Sequence, residues 1–513
     1  MEEKKERTPG NFSLTMLIAM VVGSMVGAGV FSLPHRFAAS SGVLASLIAW
    51  VVAGFGMLML AFVFQNLANR RPDIDAGVFA YAKAGFGDFT GFLSAYGYWA
   101  SACVGNVFYW VLIKATLSIF FPAFGAGNTV IAVAVSSVMI WSFYFMVLRG
   151  VKEAAAINKI VTIAKILPLI FFIIVVIIAF KVDVFMANFW GSENVTAGDI
   201  YEQVKATMMV TVFVFIGIEG ASVYSRYAKD RRDVGKATII GFLGVLALFA
   251  SISILSFGIL PRAELAALSD PSVGSVLASV VGDWGAIFVG AGLIVSVLGA
   301  YLAWTLMCAE VLFLAAKNKD MPKFLTKENA NNVPSNALLQ STIMIQTILA
   351  ITIFSDDALT LALTLAAALS LIPYLLSGAY ALKLTITKET YETNKATLKK
   401  DLIVALLATF YGIFLVYAAG TELLLLACII YASGIILYVI ARKEQKLQLF
   451  TNWEKVLLVA VVVGAIAGII ALFSGTIEYK DDNSAIKVST GIDYIKHIEE
   501  GNMFKLKGSS NEN

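Results

Sequence analysis

Apolar runs of about 20 residues recur along the 513-residue chain and constrain its fold more than any other feature. This is the length that a helix needs to cross ~30 Å of lipid hydrocarbon. Only helix bundles and closed barrels can span a bilayer, and barrel strands would be half as long and would alternate in polarity. Apolar residues make up 59% of the chain and charged residues 14%, against roughly 45–50% and 25% in soluble domains.

The sequence therefore predicts an all-α polytopic membrane protein with about 13 transmembrane helices. Hydrophobic segments of membrane length define each predicted span, and polar loops separate them. In chain order the spans are 12–38, 42–66, 89–121, 127–148, 154–180, 203–227, 234–259, 284–316, 337–355, 358–384, 401–419, 421–441 and 453–474.

Lys and Arg residues concentrate in every second loop of this arrangement. Because positively charged loops stay on the cytoplasmic side, residues 1–11 are predicted to form a cytoplasmic N-terminus of a multi-pass cell-membrane protein. An odd number of spans then places the polar tail, residues 475–513, outside the cell. The charged start of the chain lacks the apolar core and small-residue cleavage site of a removable signal peptide, so none is predicted.

Glycines interrupt two of the spans at matching places. GSMVGAG at 23–29 lies in the middle of the first span, and FIGIEGAS at 215–222 lies in the middle of the sixth. Such segments at corresponding positions of two halves are typical of inverted-repeat transporters with a binding site at the membrane midplane. The predicted division is a transporter core at 12–442, with repeats at about 12–180 and 203–386 and then two accessory helices, followed by an extra helix at 453–474.

A broken helix offers backbone groups that a continuous helix uses internally. The second half-helix, starting near Gly29, would present free N–H groups that suit a carboxylate, and the ends of the first half-helices would present carbonyls that suit an ammonium. Helix packing is the alternative, since GSMVG at 23–27 also fits the small-xxx-small contact pattern. The matching break in span 6 favours a ligand site, whereas GAIAG at 464–468 has no such match and is interpreted as packing.

Two charged residues lie inside spans, where a charge costs at least ~2.5 kcal/mol. Glu219, in the break of span 6, is either a structural carboxylate bonded to the unwound turn or a counter-charge for a cationic substrate. Lys165, in span 5, either extends its ammonium to the cytoplasmic surface or places a fixed positive charge beside the span 1 break. Lys114 and Glu310 lie nearer span ends and are interpreted as reaching the membrane surface.

Two further residues are candidate contacts. Trp304 could stack on an ammonium or guanidinium, although a lone tryptophan in a span more often packs or anchors the helix. Asn106 is a buried amide that needs partners and would either bridge helices or touch a substrate.

Enzyme, metal and channel functions find little support in the sequence. Neither histidine, His35 or His497, lies in the middle of a span, and the chain contains no recognisable hydrolase, zinc-protease or phosphate-loop motif. No cofactor, metal or nucleic-acid partner is predicted. The three cysteines lie in apolar segments and are interpreted as free packing thiols, namely Cys103, Cys308 and Cys428.

GSMVGAGVFSLP at 23–34 resembles the span 1 signature of the amino acid–polyamine–organocation superfamily, and FIGIEGAS at 215–222 resembles its span 6 signature. The likeness covers residues 12 to about 442. Within the superfamily the chain is most similar to the basic amino acid/polyamine antiporters, and in length and in its thirteenth span to their arginine/ornithine group. The resemblance implies the five-plus-five inverted-repeat (LeuT-like) transporter fold.

The same resemblance implies roles for individual residues. Positions that match the substrate-binding signatures of the arginine/agmatine exchanger are Ser24, Met25, Gly27, Ala28, Gly29, Asn106, Phe213, Ile216 and Trp304. Those that match its inner gate are Tyr98, Glu219 and Tyr374, and Glu219 would also contact substrate. Ala28 and Ala366 replace serines of that exchanger, which removes one hydroxyl contact at Ala28 and puts the guanidinium contact at Ala366 in doubt. Lys165 matches a lysine of proton-linked relatives and implies coupling without sodium.

The resemblance implies exchange of cationic amino acids, with arginine entering and ornithine leaving. Exchange of an amino acid for an amine remains an alternative, such as histidine for histamine, lysine for cadaverine or tyrosine for tyramine. Proton-coupled uptake and a sensor that binds without transport are further alternatives. The sequence leaves the oligomeric state open, with a homodimer as one arrangement. Small amino acids or amines and membrane lipid are the expected partners, in a bacterial plasma membrane.

Overall fold

The computed structural model describes residues 13–72, 74, 78–150, 154–191, 195–218, 229, 231–392 and 395–474. Within these ranges the regular structure is helical and includes no strand. The helices are α1 Leu14–Met25, α2 Leu33–Ser40, α3 Val43–Arg70, α4 Val78–Phe86, α5 Asp88–Leu117, α6 Val130–Leu148, α7 Ala154–Ala179, α8 Val182–Ala187, α9 Ala197–Phe215, α10 Arg231–Ser256, α11 Arg262–Ala266, α12 Ser272–Val281, α13 Asp283–Lys317, α14 Ser335–Ile351, α15 Ala358–Thr387, α16 Leu398–Glu444 and α17 Asn452–Phe473.

Nine of the described helices are long and apolar enough to cross a membrane, and counting the bent pair α1–α2 as one span gives ten. The 47-residue α16 contains non-helical backbone at Gly420, where φ is 75° and ψ is 167°. That glycine lies between the predicted spans 401–419 and 421–441. α16 is therefore two helical segments joined by a kink at Gly420. The all-α membrane architecture is confirmed, and the count of thirteen spans stays a prediction.

The helices pack in two groups, and each group contains helices from both predicted repeats. In the first, α1 packs on α10 and α3 packs on α9 and α10. In the second, α13 packs on α5 and α14, and α14 also packs on α5 and α6. Spans 1 and 2 thus lie with spans 6 and 7, and spans 3 and 4 lie with spans 8 and 9.

α5 and α15 lie against each other in the interior of the bundle. Pro373 inside α15 lacks an N–H, so the carbonyl of Leu369 loses its usual helical donor. Tyr431 of α16 donates its hydroxyl to that carbonyl at 3.0 Å. A side chain from a neighbouring helix therefore satisfies the buried carbonyl that the proline leaves without its helical donor.

The extra helix α17 is attached to the core through α16 and α5. A Cβ at Gly464 would lie 2.8 Å from the Cys428 Sγ, and one at Gly468 would lie 2.9 Å from a carbonyl of Leu425. Only glycine permits this close approach of α17 to α16, so the predicted packing role of GAIAG is confirmed. The three cysteines are free thiols, as predicted.

Candidate functional site

The two glycine-broken helices meet in the interior. Gly217, just after α9, has φ +108°, and a Cβ there would lie 2.5 Å from the Ser24 carbonyl oxygen of α1. Ser24 donates its hydroxyl to the Gly217 carbonyl at 3.0 Å. A Cβ at Gly29 would lie 2.9 Å from the ring of Phe213. Glycine is therefore required at both breaks, because each broken helix occupies the space that the other's side chain would need.

Backbone N–H groups remain unpaired at the break of the first span. α1 ends at Met25, and a short 3-10 turn begins at Gly29. The amide of Gly27 donates to the Met25 carbonyl at 2.8 Å, but in the described part of the chain the amides of Ala28, Gly29 and Val30 find no acceptor. Three N–H groups at a helix start form a site for an anion.

The carbonyl end of α1 is occupied by a lysine. Lys165 of α7 is 2% exposed and donates its ammonium to the Gly23 carbonyl at 2.7 Å. The side chain therefore turns inward to the break, as in the second of the two predicted arrangements, and does not extend to the membrane surface. A cation already satisfies a carbonyl that could otherwise bind a metal ion or an ammonium.

A cleft with about 460 Å³ of empty space, part of which is continuous with the solvent, opens beside the two breaks. Eight of the ten predicted substrate contacts line it, namely Ser24, Met25, Gly27, Ala28, Gly29, Phe213, Ile216 and Trp304. No acidic side chain occurs among the described lining residues, and the described residues contain no cluster of potential metal ligands.

A model of the amino acid permease family matches residues 12–424 of this chain. The chain belongs to the amino acid permease family.

Relatives of this permease carry more specific names. An arginine/ornithine antiporter of Pseudomonas aeruginosa is 50% identical over 468 residues, which are 90% of this chain and 97% of that protein. An L-lysine transport protein of Corynebacterium glutamicum is 41% identical over 485 residues, 92% of this chain and 97% of that protein. A putative arginine/ornithine antiporter of Escherichia coli is 40% identical over 455 residues, 88% and 96% of the two chains.

Of the two other predicted substrate contacts of the permease, only Asn106 lies within the described residues, and it does not line the cleft. Asn106 is fully buried on α5, with its Nδ2 3.7 Å from the Cys308 Sγ of α13, so in this structure it faces a helix contact. Glu219 lies outside the described residues.

The other predicted gate residues, Tyr98 and Tyr374, are not among the described lining residues of the cleft. Tyr98 is buried on α5, one turn before the cleft residue Ser101. Tyr374 is buried directly after Pro373, with its ring centroid 5.8 Å from that of Phe64. Their role in gating stays a prediction.

One wall of the cleft was missed by the sequence reasoning. Ser101, Ala102, Gly105 and Tyr109 of α5 line it. Ser101, Gly105 and Tyr109 are spaced four apart and therefore share a helix face. That spacing of small and polar residues in an apolar span could have identified the face, whereas the sequence prediction selected Tyr98 and Asn106 from this span.

The remaining described residues of the lining are Val30, Val214 and Ala366. Ser101 donates its hydroxyl to the Ala366 carbonyl at 2.6 Å. This bond uses the Ser101 hydroxyl, while Ala366 itself contributes only a methyl group and backbone. Apart from the hydroxyls of Ser24, Ser101 and Tyr109, the described side chains of the cleft are apolar, and its largest side chains are Trp304, Tyr109 and Phe213.

Proposed function

We propose that this permease exchanges arginine for ornithine across the bacterial plasma membrane by alternating access. The observation that carries the proposal is the group of three unpaired amides, at Ala28, Gly29 and Val30, beside an aromatic cleft at the meeting point of two broken helices. The 50% identity to an arginine/ornithine antiporter supports the choice of substrates.

Each part of a basic amino acid has a suitable environment in this proposal. The amides bind the carboxylate. Free carbonyls at the breaks receive the α-ammonium, and Trp304 stacks on the cationic side chain while Phe213 flanks it. Glu219 lowers the cost of admitting the cation, and with Tyr98 and Tyr374 it closes the cytoplasmic side.

Lys165 makes a sodium ion unnecessary in this mechanism. Its ammonium already bonds the Gly23 carbonyl, at the end of α1 where an ion would bind. Arginine and ornithine each carry one net positive charge at neutral pH, so one-for-one exchange moves no net charge. The N-terminus is cytoplasmic in this proposal, as the distribution of Lys and Arg indicates.

Uptake of labelled arginine into proteoliposomes tests the function. We expect rapid uptake into vesicles loaded with ornithine, no uptake into empty vesicles, and no response from a voltage-sensitive dye. Faster uptake against internal agmatine than against ornithine, with a voltage change, would instead identify an amino acid/amine exchanger. Binding of arginine without flux under any loading would indicate a sensor.

Proton-coupled uptake is a second candidate, which the buried Lys165 favours. It predicts arginine or lysine uptake into empty vesicles when a pH gradient is imposed. Lys165→Met should abolish that uptake, whereas the matched control Lys205→Met, at a partly exposed lysine of α9 that pairs with Glu202 and does not line the cleft, should not. Absence of gradient-driven uptake in the wild type excludes this candidate.

A further inference from the structure

Tyr109 places a free hydroxyl at the first-span break. Its Oη lies 3.3 Å from the position that a Cβ at Gly27 would take, and the residue lines the cleft. Within the described part of the chain this hydroxyl has no hydrogen-bond partner. The residue is 7% exposed, and because it lines the cleft its hydroxyl is available to a ligand there. On the same helix the hydroxyl of Tyr96 is differently placed, since it lies 2.9 Å from that of Ser433.

Hydrogen-bond donors without an acceptor in the described part of the chain lie at the same break as this hydroxyl. The unpaired amides of Ala28, Gly29 and Val30 lie along the same break. A neutral phenol can also donate, and it adds no charge that would repel an anion. An ionised carboxylate accepts at about four lone-pair sites and donates none, so it complements a group made of N–H and O–H donors.

We propose that the Tyr109 hydroxyl donates a hydrogen bond to the substrate carboxylate and thereby restricts the site to ligands that carry one. This inference rests on the proposed function and deepens it, since it states what the two exchanged substrates must share. A site built to hydrogen-bond one group rejects an analogue that lacks it, because its buried donors are then left unpaired. Arginine and ornithine satisfy the requirement, whereas their decarboxylation products, agmatine and putrescine, do not.

The first test compares two ligands on the wild-type protein. Arginine and agmatine share the guanidinium and the alkyl chain, and agmatine lacks the carboxylate. Their dissociation constants are measured by competition with labelled arginine on the full-length protein in detergent. We expect agmatine to bind about 100-fold more weakly or worse, because it leaves several donors without an acceptor. Equal affinities would overturn the inference without any variant.

The second test removes the hydroxyl alone. In Tyr109→Phe the dissociation constant for arginine should rise about 10- to 100-fold, the value of one hydrogen bond to a charged group, while that for agmatine stays within about twofold. Tyr96→Phe is the matched control, since it removes a hydroxyl of α5 that bonds Ser433 and not the cleft. In the control we expect the ratio of the two affinities to remain at its wild-type value.

Two results for Tyr109→Phe would contradict the proposal. An unchanged affinity for arginine means that the hydroxyl does not contact substrate. An equal loss for arginine and agmatine means that it contacts a group the two ligands share, such as the amine.

The proposed function and this inference fail separately. Arginine that neither binds nor exchanges refutes the function, and the same measurements with lysine and cadaverine then decide the role of Tyr109. Arginine exchange that does not discriminate against agmatine refutes only the inference.

Discussion

The two ends of the helix bundle are held by ion pairs of different kinds. At one end, the Arg36 end, Arg36 and Asp270 pair at 2.9 Å and are both 5% exposed. At the other, the Lys83 end, Lys83 bridges Asp320 and Asp88, and Arg442 also bonds Asp88 at 2.7 Å. The sequence predicts the first end to be extracellular and the second cytoplasmic.

The difference lies in access to water. The Arg36 Nε and the Asp270 Oδ1 are buried and have no hydrogen-bond partner within the described residues, so that pair is incompletely satisfied. Asp88 at the other end is 40% exposed and shares its charge between two cations. A buried pair leaves a costly isolated charge when one partner is lost, whereas water can solvate the half-exposed Asp88 when it loses one of its two cations. Loss of one charge should therefore cost more folding free energy in the Arg36–Asp270 pair than at Asp88.

The largest effect is expected from Arg36→Met. It leaves Asp270 buried without its cation, and we expect the unfolding free energy to fall by about 3–5 kcal/mol. Thermal unfolding in detergent measures the change. The double variant Arg36→Met/Asp270→Leu should recover most of the loss, since no charge then remains buried. A double variant no more stable than the single one would show that the cost comes from lost packing.

The next effect is a pH dependence at the Lys83 end. Burial raises the pKa of Asp320 to about 6, although Lys83 opposes the shift. Since the folded protein then binds this proton more tightly than the unfolded chain, stability should fall as the pH rises from about 4 to 6. The change should be at most about 3 kcal/mol. Asp320→Asn should remove this part of the pH profile; an unchanged profile assigns the dependence to other groups.

Glu454→Gln tests a carboxylate that connects α17 to α5 at the Lys83 end. Glu454 is 3% exposed and accepts from the amides of Phe89 and Thr451, each at 2.8 Å. The amide side chain keeps one acceptor and loses the charge, so we expect a loss of about 1–2 kcal/mol in thermal unfolding. No loss would mean that α17 is attached by its apolar and glycine contacts alone.

The smallest effect should come from Glu202→Gln, which removes the pair between the exposed Glu202 and the partly exposed Lys205 on α9. The carboxylate is 64% exposed, and a pair one turn apart on a helix contributes about 0.2–0.5 kcal/mol. A shift in melting temperature within experimental error is expected. A loss comparable to that of Arg36→Met would show that burial is not what separates strong from weak pairs in this protein.

Much of the architecture and part of the site could be predicted from local sequence. Span lengths follow from the thickness of the bilayer. The glycines at 23–29 and at Gly217 mark the breaks because glycine tolerates backbone dihedrals and close contacts that bulkier residues do not. The inward position of Lys165 was one of two arrangements that the sequence left open. Which of the two is adopted depends on whether the Gly23 carbonyl, which belongs to another helix, lies within hydrogen-bond distance of the ammonium.

Lys114 shows where such prediction fails. Its position near the end of a span indicated a side chain that reaches the membrane surface, and this was wrong. The residue is 4% exposed, and its ammonium lies 5.7 Å from the ring centroid of Trp110 and 5.3 Å from that of Phe124. Aromatic faces from the same helix and from the following loop attract the cation. Chain position alone could not reveal that arrangement.

The sequence by itself determined the helical membrane architecture, the two breaks and the residues at them, because span length and backbone freedom are properties of contiguous residues. Tertiary structure alone decided that Gly217 abuts Ser24, that Asn106 faces α13 and that Tyr109 directs its hydroxyl to the break. These depend on how helices far apart in sequence rotate against one another. That rotation follows from the packing of whole surfaces, which no local pattern encodes.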